Sequence, residues 1–211
     1  MLVDFRLSRD TAAGVGVVDT LHGLADISRP DMAAVIWRRQ PAQQFQDWID
    51  DLDADVLPSA RIVIAAHAVR SNVEKIVDRS GATTSNAAQW LIDDIVALAE
   101  CFTELMQSPC LRLRLDVVTT NACRKFHIDA VKARLICTYR GTGTQYGTST
   151  GGADPDRVFT VPTGAPMLLR GTDWPEAPAS GLRHRSPPIE GTSETRLVLV
   201  MDPVFDPDED L

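Results

Sequence analysis

The chain has 211 residues, 21 of them Lys or Arg and 29 Asp or Glu, for a formal charge of −8. That length supports one domain with a real core, and the acidic balance disfavours broad binding to nucleic acid or an anionic membrane, whose phosphates its field repels. No apolar run approaches the roughly 20 residues that cross a bilayer, and four cysteines without paired CxxC spacing exclude a disulfide scaffold.

The opening MLVDFRLSRDTAAGVGVVDT mixes acids and bases and lacks the order of a secretory leader, so a soluble cytoplasmic protein with reduced thiols is expected. Residues 1–108 read mainly as helix. In RPDMAAVIWRRQPAQQFQDWIDDL, apolar Val35, Ile36, Phe45, Trp48, Ile49 and Leu52 mark two helical pieces separated by Pro41. SARIVIAAHAVRSNVEKIVDRSG fits either a helix or a strand followed by a helix, ended by Gly81. The clearest helix follows, with Leu91, Ile95, Leu98, Phe102 and Leu105 at spacings of three and four, Thr84 or Ser85 as N-cap, and Ser108-Pro109 as its stop.

Beyond residue 108 the period changes to two. LRLRLDVV alternates Leu111, Leu113, Leu115 and Val117 against Arg112, Arg114 and Asp116. Further strand candidates are CRKFHID, ARLICTYRG, DRVFTVP, APMLLRG, LRHRS and TRLVLVMD, separated by turn-rich pieces. The plan is α+β: N-terminal helices packed on an antiparallel barrel or jelly roll over 109–205, then an acidic tail at 206–211.

Within CRKFHID, residues two apart share a face of an extended strand, so His127 and Asp129 point the same way. An H-x-D pair arises often by chance in a chain this acidic, and its structural alternative is a hydrogen-bonded pair on a sheet. A second histidine from another strand makes the difference. His184, in GLRHRSPPI, supplies it, completing the two-histidine, one-carboxylate set that suits non-haem Fe(II). Arg196 opens the apolar strand RLVLV beyond it, and an arginine fork there is the expected anchor for a dicarboxylate. Cys123 lies four residues before His127 and, on a continuous strand, would close a tetrahedral zinc set with the same three side chains. Arg140 is divided between a turn-stabilising bond and an anion contact, while Arg183 and Arg185 flank the distal histidine with opposite parity as solvated edge residues or, for Arg185, a second anion contact. His22 and His67 have no partner spacing, and RGTGTQYG lacks the lysine and helix of a phosphate loop.

On His127, Asp129, His184 and Arg196, with VPTGAPMLLRG ahead of the distal histidine, the β-half resembles the double-stranded β-helix of the Fe(II)- and 2-oxoglutarate-dependent dioxygenases, a cupin-like fold. Through CRKFHID, CTYRGTGTQ, VPTGA and HRSPP, nearly the whole chain also resembles the bacterial family named domain of unknown function 1826. The oxygenase resemblance implies Fe(II) on the triad, 2-oxoglutarate with its far carboxylate on Arg196, and hydroxylation of a substrate, a small molecule or another, that the sequence does not name. It also implies a tyrosine on the co-substrate, Tyr139 or Tyr146, and a lid or substrate loop at Gly141 to Asp156. Val198 stands where that pattern often has a serine. The competing expectation is a non-catalytic zinc protein serving metal homeostasis.

Overall fold

The computed structural model describes residues 11–82, 85–175 and 181–206. Its frame is a seven-stranded sheet facing a three-stranded one. The larger sheet has the order β1 (Val15–Val18), β2 (Ala34–Trp37), β8 (Met167–Arg170), β5 (Ala133–Arg140), β10 (Arg196–Val204), β4 (Cys110–Val118) and β3 (Ala60–Ala65). Every pairing in it is antiparallel except that of β1 with β2. The smaller sheet runs β7 (Phe159–Thr160), β6 (Gln145–Thr148) and β9 (Leu182–Arg185).

Three helices back the larger sheet: α1 (Gln43–Asp51), α2 (Val69–Ser80) and α3 (Asn86–Met106). Leu91, Ile95, Leu98 and Phe102 of α3 are buried against Leu111, Leu113 and Leu115 of β4 and Leu197, Leu199 and Met201 of β10. This is the apolar face that the alternation of LRLRLDVV predicts. The Ser85 side chain accepts from the amide of Ala88 and caps α3, while Thr84 and the acidic tail beyond Asp206 lie outside the described residues. Gly81 ends α2 in the left-handed region, at φ 81°, where a Cβ would be strained.

The opposite face of the larger sheet looks into the barrel. Ile136, Met167, Leu169, Val198 and Val200 meet Tyr146, Val161 and Leu182 of the smaller sheet there. Period two thus sends odd-numbered β10 residues to the helices and even-numbered ones to the interior.

The structure corrects three local expectations. Val35 and Ile36 are not on a helix: AVIW forms β2, between β1 and β8, where both neighbours use its backbone groups. The larger sheet therefore takes three strands from before residue 108 and four from after it. CRKFHID makes no strand either, only an isolated bridge at His127. The glycine-rich stretch from Gly141 to Asp156 is not all loop, since Gln145–Thr148 forms the central strand of the smaller sheet.

Candidate metal centre

The backbone brings the two histidines together. His127 N donates to His184 O (3.1 Å) and His184 N to His127 O (3.0 Å), so the 127 segment adds to the free edge of β9. The rings lie side by side with centroids 4.5 Å apart. Asp129 is fixed from another direction: Thr172 N donates to its carbonyl (2.9 Å), and Gly171 N donates to Lys132 O (3.0 Å). A Cβ at Gly171 would stand 1.9 Å from Val131 O, so this close turn needs glycine.

One ligand atom each from His127, Asp129 and His184 lies within 4.8 Å of the others. His127 Nδ1 is 2.8 Å from the Lys125 carbonyl, which only accepts, so Nδ1 carries the proton and Nε2 keeps its lone pair. Asp129 Oδ2 lies 3.0 Å from His184 Nε2, yet this buried oxygen makes no hydrogen bond. Converging acceptor atoms, one of them orphaned, fit a shared cation better than a finished hydrogen-bond network.

The charge state fits as well. Burial opposes ionisation of Asp129, but His127, His184 and Arg134 overcome it and hold the carboxyl far below the usual aspartate value. Desolvation dominates at His184 and lowers its pKa, keeping the imidazole neutral. At His127 the contact with Asp129 outweighs burial and raises the pKa.

Arg196 lines the same cavity as His127 and His184 and is 1% exposed. Its Nε donates to Thr142 O (2.7 Å) and its Nη2 to Thr138 Oγ1 (3.4 Å). Among the described residues no carboxylate pairs with it, and burial lowers its pKa to about 10 against the pull of Glu194. A buried guanidinium without an acid is costly unless a ligand supplies one.

Other sequence candidates fall elsewhere. Tyr139 shares the helix face of β5 with Leu135 and Cys137, and its hydroxyl donates to Asp94 Oδ2 (2.7 Å). Arg140 pairs with Leu197 across a register shift and turns to the Leu52 carbonyl (2.5 Å). Tyr146 is directly opposite His184 in the smaller sheet and shares its inward face; burial pushes its phenol up to about 12. Arg185 lines the cavity, donates from Nε to Gln145 Oε1 (2.8 Å) and lies over the Phe126 ring. Cys123 is exposed at the cavity and is not one of the three converging ligands, because the chain before His127 leaves the extended path a shared face requires.

Arg134 and Asp202 join the site without a sequence motif to announce them. Arg134 contacts Asp129 Oδ1 through Nη1 and grips Asp202 through Nε (2.6 Å) and Nη2 (2.8 Å). Asp202 is 2% exposed on β10, and its interruption of the apolar run LVLVM was the available signal.

The chain belongs to the family described as protein of unknown function (DUF1826), whose profile matches residues 18–202. No curated protein matches it. Among solved structures, the dioxygenase for auxin oxidation 1 from Arabidopsis thaliana, in binary complex with 2-oxoglutarate, is similar with a TM-score of 0.56 at 10% identity, covering 95% of each chain. The dioxygenase for auxin oxidation in rice gives 0.51 at 12% identity, covering 91% of this chain and 83% of that one. At such identity the likeness is one of fold: helices with the double-stranded β-helix of these dioxygenases. Among the described residues no helix is long and apolar enough to cross a membrane.

Proposed function

We propose that this DUF1826 member is an Fe(II)- and 2-oxoglutarate-dependent dioxygenase acting on a small molecule. The overall reaction consumes 2-oxoglutarate, dioxygen and a substrate C–H bond, and yields succinate, carbon dioxide and the hydroxylated substrate. The observation that carries the reading is a cavity lined by His127 and His184, which converge with Asp129, and by the guanidinium of Arg196, with which no carboxylate pairs among the described residues.

His127, Asp129 and His184 would hold the metal, whose chemistry when bound is redox activation of dioxygen. The chain's own part is placement. Arg196, beside the Thr138 hydroxyl, receives the far carboxylate of the co-substrate in a charge-assisted fork. Ile136, Val198 and Val200 give the cavity an apolar wall that keeps water from the reacting end. Tyr146, neutral and inward-facing, replaces Tyr139 as the tyrosine candidate for orienting the co-substrate.

Anaerobic titration with Fe(II), followed by 2-oxoglutarate, tests this reading. The expected result is one bound iron and a visible charge-transfer band that appears only with the co-substrate and is lost in Arg196→Gln. Stoichiometric iron with no spectral response and no 2-oxoglutarate binding would leave a metal protein of another kind, the zinc reading among them.

A further inference from the structure

Four arginines, Arg114, Arg134, Arg185 and Arg196, line the cavity beside one acid, Asp116, so cations outnumber acids in its lining. Arg134 is compensated by Asp202 and Asp129. Arg185 is held by Gln145 and Phe126. Arg114 is left short. Its contact with an acid is Nη2 to Asp202 at 3.4 Å, and that carboxylate is already gripped more closely by Arg134. Its Nε is buried with no hydrogen-bond partner.

The surroundings add to the excess. On β3, Arg61 stands directly opposite Arg114, although it lies outside the cavity lining. Like charges facing each other across a ladder destabilise a sheet. Burial and Arg134 lower the pKa of Arg114, with Asp202 and Asp116 opposing and Arg61 adding to the repulsion. Arg196 is paired with Val118, four residues along β4 from Arg114. The two positions are thus about 13 Å apart along the strand, and each calls for its own anion.

We infer that Arg114 anchors an oxyanion of the prime substrate, so that the substrate class is a small organic acid or phosphate ester. A guanidinium with an unfilled edge can fork onto two oxygens of a planar carboxylate or of a tetrahedral phosphate. This inference rests on Arg196 being the co-substrate anchor. Were Arg114 only a strut of the Arg134–Asp202 network, its loss would lower stability without changing recognition.

The test is anaerobic calorimetry on the Fe(II)-loaded protein saturated with 2-oxoglutarate. Titrants are methyl phosphate and a panel of small carboxylic acids, each acid matched with its primary amide. At least one oxyanion is expected to bind in preference to its uncharged counterpart, and its class separates phosphate esters from carboxylic acids. Arg114→Gln should weaken that binding by about tenfold or more, leave 2-oxoglutarate affinity unchanged, and be partly rescued in Arg114→Lys. Equal binding of acid and amide, no oxyanion binding at millimolar concentration, or full affinity in folded Arg114→Gln would overturn the inference. Loss of 2-oxoglutarate affinity in Arg114→Gln would overturn it too, by making Arg114 the co-substrate anchor. If Arg114→Gln does not fold, the acid–amide contrast in the wild-type protein decides. Failure of the co-substrate reading shows separately, as no heat from 2-oxoglutarate in the wild-type protein; the contrast is then measured on the iron-loaded protein alone.

Discussion

The two faces of the seven-stranded sheet bury the same kinds of polar residue to different ends. Toward the helices, Arg39 contacts both oxygens of Asp94 and donates to the Gly164 carbonyl, Tyr139 donates its hydroxyl to Asp94, and the guanidinium lies over Trp37. That set is closed: donors and acceptors are matched. Toward the barrel interior the matching stops partway. Asp129 Oδ2 and Arg114 Nε are buried without a hydrogen bond, and among the described residues no carboxylate pairs with Arg196. Buried polar groups in folded proteins are normally satisfied, so atoms left open around one cavity mark where a ligand completes the set.

Removing one aspartate from each face separates the two most sharply. Asp94→Ala strips a buried guanidinium of its carboxylate, which costs roughly 3–5 kcal/mol. Calorimetry should show a melting temperature lower by on the order of 10 °C, with metal uptake per folded molecule unchanged. Asp129→Ala should do the reverse. Arg134 keeps Asp202, so the metal-free protein melts within a few degrees of the wild type, at about 2–4 °C per kcal/mol for this size, while metal analysis finds binding lost. A collapse in Asp129→Ala as large as that in Asp94→Ala would mean that the inner cluster is scaffold after all.

The same contrast explains what could be read before the fold was known. Alternation in LRLRLDVV placed Leu111, Leu113 and Leu115 on the core face correctly, because one strand carries its own period. The two histidines and Asp129 were legible as ligand types, but the reason offered for their convergence was not the operative one. No strand carries His127; a two-bond exchange with His184 and the turn at Gly171 aim the group. Tyr139 was misplaced although ARLICTYRG alternates, and its parity with Leu135 and Cys137 pointed to the helices. Arg140 could not be read locally, since a register shift between Leu197 and Val198 sets its direction. Val35 and Ile36 look helical until their neighbours β1 and β8 are present to take their hydrogen bonds.

A finer probe asks whether Arg134 belongs to the closed or the open set. Its charge is balanced by Asp202, so it repels a cation little, and its hold on Asp129 Oδ1 leaves Oδ2 toward the histidines. Outer partners of this kind typically contribute 10–100-fold to metal affinity. Arg134→Gln should lower iron affinity by about that factor, measured by competition with a chelator, with a smaller loss of melting temperature than in Asp94→Ala. Acid should do part of the same work. Metal binding requires unprotonated ligands, and His127 is the one whose pKa is raised above 6.5. Affinity is therefore complete on the alkaline side and falls as pH drops through that raised value, by about tenfold for each further unit.

The smallest effect belongs to Cys123, and a null result there is informative. The zinc alternative needs its thiolate as a fourth ligand, whereas the thiol is exposed and stands apart from the three converging atoms. Cys123→Ser should therefore leave iron stoichiometry, iron affinity and the response to 2-oxoglutarate unchanged. Zinc affinity should be unchanged as well, and the substitution is diagnostic because a hydroxyl, a far poorer zinc ligand than a thiolate, would expose any contribution the sulfur made. A marked fall in zinc affinity with iron unaffected would show the segment before His127 folding over the cavity when that metal binds. The inner face would then be closed by the chain itself rather than by a substrate.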